Sequence, residues 1–152
     1  MLDSYAIIIS LNKLIKSLSV EKEYFSKLSE SISDDVLSTF CNDRAEVIKK
    51  NIYELRRLVY NIGGHPPFAL SFSDFLYSKW KIIKTAVLYN HQSRLLREIE
   101  SINQGLLKSY EFVSKKYLPP MVSIVLRRQT DDLRRNVSRC KKLHHHMDLL
   151  PG

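Results

Sequence analysis

The chain has 152 residues, 44% of them hydrophobic and 26% charged, the composition of an ordinary globular domain. Only 4 glycines and 5 prolines exclude collagen-like, linker-like and turn-rich all-β designs. The formal net charge of +8 makes the chain basic and admits polyanions as partners.

One domain is expected at this length, large enough to fold without disulfides or a structural metal. Cys41 and Cys140 are too few for a disulfide framework and have no metal-ligand spacing, so they read as core thiols in a reducing compartment. No run approaches the ~18–20 apolar residues of a membrane span. The short apolar run 5–9 follows Asp3 and precedes Asn12 and Lys13, unlike a signal peptide. The expectation is a cytoplasmic protein that does not span a membrane.

Apolar residues at spacings of three and four mark the first helix: Ile7, Leu11, Leu14, Leu18, Phe25, Leu28 and Ile32, with Glu21 the one polar member of the stripe. Ser33 is the expected cap of a second helix over 34–62, where Asp34 and Asp35 favour its positive end. Its stripe is Leu37, Phe40, Arg44, Val47, Asn51, Leu55, Leu58 and Ile62, and Gly63-Gly64 followed by Pro66-Pro67 ends it. Phe72, Leu76, Trp80, Ile83 and Val87 mark a shorter helix, with Trp80 expected in the core. After the polar stretch 89–93, Leu95, Ile99, Ile102, Leu106 and Val113 carry a further helix; 72–116 is one kinked helix or two. Pro119-Pro120 opens the last helix, with Val122, Leu126, Gln129, Leu133, Val137, Cys140 and Leu143 inward. Residues 144–152 are expected to be a disordered tail beyond a single bundle domain at 1–143. No segment reads as a strand. The fold class is all-α, an antiparallel four-helix bundle with a short extra helix or a kinked third helix.

Bundle cores hold cofactors through polar side chains on facing helices. The candidates here are Glu21, Arg44, Asn51, Asn103 and Gln129, a polar network in the seam. A di-iron site needs Glu-x-x-His pairs that aim acid and imidazole at one metal. The chain has none; Glu100 is followed at that spacing by Asn103, and the five histidines lie at 65, 91 and 144–146. Iron or manganese held by Glu21, Glu100 and His91 is therefore the alternative, and no cofactor the main expectation. Glu21 and Arg44 lie at similar distances from the turn near Ser33, which predicts an ion pair at one height of the bundle. No phosphate-binding loop, nucleophile elbow or catalytic motif is present. The last helix carries Arg127, Arg128, Arg134, Arg135, Arg139, Lys141 and Lys142, a solvated polar face or a patch for nucleic acid or another anionic surface.

The order of several short motifs resembles a bacterial family of ferritin-like bundles, domain-of-unknown-function family 2383. The motifs are 11–15 with Phe25, Glu54-Leu55 running into Ile62-Gly63-Gly64-His65-Pro66, and Trp80 with Lys84-Thr85-Ala86. Glu98 and Glu100 with Lys108 and Tyr110 follow, then Leu118-Pro119 with Arg128-Gln129. The resemblance spans about residues 7–143 and implies a ferritin-like four-helix bundle with no established activity. Asn103 stands where an acid is expected and Val137 or Asn136 where a histidine is, which marks a divergent member. The function expected is a non-enzymatic structural or interaction role, with an unknown protein partner or a second copy of the chain. A ferritin-type metal-binding oxidoreductase or storage protein and a polyanion-binding module are the alternatives.

Overall fold

The computed structural model describes residues 4–67, 84 and 92–148. Among them are four long helices and no strand: α1 (Ser4–Ser31), α2 (Asp35–Asn61), α3 (Gln92–Ser114) and α4 (Pro120–Asp148). The all-α bundle expected from the apolar periodicity is the fold observed. Trp80, His91 and the shorter helix expected around 72–87 lie outside the described residues.

α1 and α2 pack as one antiparallel hairpin, α3 and α4 as another, and α1 touches α3. Polar contacts described below close the fourth side, between α2 and α4. Three residues suffice between α1 and α2 because Asp34 caps the second helix: its carboxylate accepts from the Leu37 amide at 2.9 Å. The cap is thus one residue later than Ser33. At the other end of α2, Gly63 adopts φ 89°, and the Gly63 and Gly64 amides bond back to the Tyr60 and Val59 carbonyls. A side chain at Gly64 would start 2.8 Å from Ile8, so this glycine lets α2 end against the start of α1. Asn12 of α1 donates to the His65 carbonyl at 3.0 Å and fastens the same corner.

The inward stripes of α1, α3 and α4 are those read from the sequence; Leu11, Leu14, Leu18, Phe25, Ile99, Ile102, Leu106, Leu126, Leu133 and Val137 are all buried. On α2 the stripe shifts by one residue at mid-length. Ala45 and Ile48 are buried, whereas Val47 is half-buried. A stripe at steps of three and four drifts around a helix of 3.6 residues per turn, and the wide apolar face here admits either residue. α4 also continues beyond Leu143 through Asp148, so His144, His145 and His146 stand on helix rather than in a tail.

Candidate functional site

Polar side chains enter the bundle along the α2–α4 side in two adjacent clusters. In the first, the buried Tyr110 hydroxyl donates to Gln129 Oε1 at 2.7 Å. Gln129 Nε2 then donates to Glu54 Oε1 at 2.9 Å and lies 3.4 Å from the Asn51 carbonyl oxygen. Glu54 completes the chain by pairing with Arg128. Burial pushes the Tyr110 hydroxyl well above its usual pKa, so it remains a donor. Burial alone would also raise Glu54, but the bonds from Arg128 and Gln129, with the Arg128 charge, outweigh it and hold the carboxyl below its usual value.

One turn further along α4 the second cluster is incomplete. Arg44 is 2% exposed. Its Nη1 reaches Asp132 Oδ2 at 3.4 Å, a long contact, while Nε and Nη2 are buried with no hydrogen-bond partner among the described residues. Burial lowers the Arg44 pKa, and the charges of Asp132 and Glu21 act against that, but a guanidinium stays protonated in proteins. Asp132 is 41% exposed at its side chain and is also 3.6 Å from Arg135. Arg44 lines a cavity of about 130 Å³ together with Phe40, Asp43, Val47, Asp132, Arg135, Asn136 and Arg139. Asn136 is steadied from behind by the buried Asn103, whose amide donates to it at 3.1 Å.

The predicted Glu21–Arg44 ion pair is not the one formed at closest range. The partner of Arg44 is Asp132 from α4, and Glu21, half-buried on α1, acts as a more distant charge. Adjacency in sequence favoured α1 as the source of the counter-charge; the contact across the bundle supplies it from 88 residues away. Asp132 is legible in retrospect, since it lies three residues after Gln129 and so shares its face of α4. Tyr110 carried a signal too, four residues beyond Leu106 on the α3 stripe.

A third cluster ties the start of α3 to the end of α4. Ser93 Oγ is 3.1 Å from His144 Nε2, and His144 Nδ1 is 3.3 Å from Glu100 Oε1. The order is that of hydroxyl, imidazole and orienting acid, although acyl transfer would in addition require donors preorganised for an oxyanion. Of the residues weighed as metal ligands, Glu100 thus meets His144. Among the described residues no three His, Cys, Asp or Glu side chains are grouped to hold a metal. Cys41 and Cys140 are both free and buried, and burial first of all pushes each thiol up to about 12, which leaves them protonated.

All seven basic residues named on α4 are exposed, but acids divide them. Arg128 pairs with Glu54, Arg134 with Asp131 and Glu111, and Arg135 approaches Asp132. Arg139 makes no ion pair among the described residues and faces the Arg44 cavity.

The model of a domain of unknown function, DUF2383, matches residues 6–116. The chain belongs to that family. No curated protein matches it. The DUF2383 match covers α1 to α3 and stops before α4, so Asp132, Arg135 and Arg139 lie beyond the matched stretch.

Proposed function

We propose that this DUF2383 chain is a non-enzymatic bundle with a structural or interaction role, and that it docks a protein partner through one end of the bundle. The observation that carries this is where its large exposed hydrophobic residues fall. Tyr5 and Ile9 start α1, Tyr53 and Tyr60 end α2, Phe112 ends α3, and Tyr117, Met121 and Ile124 begin α4. The antiparallel connections bring those four segments to the same end. At the opposite end only Val36 is comparable among the described residues. Tyrosine, phenylalanine and methionine are enriched at protein interfaces, and large apolar side chains gathered at one end mark an interaction surface. Tyr53 and Met121 also flank a groove of about 530 Å³ between α2 and α4, with Leu58 and Val125 along it.

A second copy of the chain is the one partner always present, so sedimentation is the first test. Concentration-dependent association that Tyr53→Glu with Met121→Glu abolishes, at unchanged helicity, supports docking through this end. A strictly monomeric wild type whose double variant is more soluble but otherwise identical overturns self-docking. The ferritin-type alternative is tested separately, by elemental analysis of untagged protein. Stoichiometric iron or manganese would replace the interaction reading with a metal-dependent one. Free buried thiols, and the absence among the described residues of a helix long and apolar enough to cross a membrane, fit a cytoplasmic setting.

A further inference from the structure

The Arg44 cavity lies away from the apolar end and stands independently of the docking proposal. Arg44 lies at its inner wall, almost wholly buried, with Nε and Nη2 enclosed behind it and unpartnered among the described residues, and its rim holds two exposed arginines, Arg135 and Arg139. Three guanidinium groups face two carboxylates, Asp43 and Asp132. A desolvated charge left so poorly matched is costly unless something of opposite sign reaches it. Asp132 does so only in part, at 3.4 Å from Arg44 and 3.6 Å from Arg135, from a position open to solvent.

We propose that this cavity is a binding site for a small tetrahedral oxyanion, a phosphate either free or as a terminal monoester, and that Asp132 is its displaceable internal stand-in. A volume of about 130 Å³ has room for an ion of about five heavy atoms. Guanidinium groups present forked donors that match phosphate oxygens, and their pairing strengthens where water is excluded. When the anion enters, the half-exposed Asp132 carboxylate swings into solvent, where it keeps its charge at little cost. Asn136, held by Asn103, adds an amide to the wall. α4 supplies Asp132, Arg135, Asn136 and Arg139, so half of the lining lies on the helix beyond the DUF2383 match, facing Arg44 and Asp43 within it.

Calorimetric titration of the full chain with inorganic phosphate, at ionic strength fixed with sodium chloride, tests the site. Wild type should show saturable binding. Arg139→Gln, a rim change that leaves the core intact, should weaken it roughly tenfold or more, the effect of losing one charge-assisted bond. Asp132→Asn should tighten it, because the competing carboxylate is gone; a residue with a merely structural role would not improve binding when changed. O-phosphoserine distinguishes the two sources: binding at least as tight as phosphate identifies a monoester, and binding of phosphate alone identifies the free ion. Phosphate binding no different from a chloride control, or unchanged by Arg139→Gln, or weakened by Asp132→Asn, overturns the proposal.

Discussion

The two polar clusters between α2 and α4 share an interface and differ in completeness. Around Gln129, the Tyr110 hydroxyl, the Glu54 carboxylate and the Arg128 guanidinium satisfy one another in a chain. Around Arg44, a charge is buried with one long contact and two nitrogens unmatched. A satisfied buried network rigidifies a seam and fixes its register. An unsatisfied one costs stability, and is expected where a site serves something other than folding.

The largest effect should come from Asp132→Asn, measured by chemical denaturation in a buffer free of phosphate and sulfate. It leaves the buried Arg44 charge without its nearest counter-ion and should destabilise by about 2–4 kcal/mol, somewhat less than for a fully buried pair because Asp132 is half-exposed. Arg44→Met removes the charge while keeping apolar bulk, and should cost under ~1.5 kcal/mol or even stabilise. If Arg44→Met proves the costlier of the two, the clusters do not differ as described.

Gln129→Ala should cost about 1–3 kcal/mol, since it removes the acceptor of the buried Tyr110 hydroxyl and leaves only the Asn51 side chain beside it. Tyr110→Phe combined with Gln129→Leu should cost less than the sum of the two single changes, which a double-mutant cycle reads directly. Additive effects would mean that the hydroxyl and the amide do not depend on each other.

The complete cluster should also leave a pH signature. Glu54 is held below its usual pKa of 4.5 in the folded chain, so its contribution is fully present above pH ~4.5 and is lost as pH falls through the lowered value. The loss should be under ~1 kcal/mol, given how exposed Arg128 is, and should vanish in Glu54→Gln. Of similar size, Ser93→Ala should cost about 0.5–1.5 kcal/mol as the tie to His144 is lost, read as a lowered melting temperature with helicity unchanged.

Much of the frame was legible in the sequence because helices announce themselves by period. The stripes of α1, α3 and α4 required only the 3.6-residue repeat, and Gly63-Gly64 required only the left-handed turn that glycine tolerates. Position along a helix was therefore readable, but contact across the bundle was not. Arg44 stood out as a charge on an apolar face, whereas its partner depended on the height of α4 relative to α2, which no local pattern encodes. The α2 stripe shows the same limit at Val47 and Ile48, where neighbouring apolar residues compete for one face. His144 was missed for another reason: a run of three histidines carries no helical period, and its fixed position rests on Glu100 and Ser93 from a different helix.

The short link between α1 and α2 has a kinetic consequence. Residues 32–34 join two helices of 28 and 27 residues, so that hairpin closes with little loop entropy, and the five residues before α4 do the same for the second pair. The α2–α4 contacts instead join residues 74 to 88 positions apart. Hairpins of this kind are expected to form early, and pairings so distant in sequence after the rate-limiting step. Changes at Gln129 or Asp132 should then speed unfolding several-fold while folding rates stay near wild type, a split that the two arms of a chevron plot would display. The polar seam would thus act less as a guide for assembly than as a latch on the assembled bundle, governing how long the two hairpins remain together.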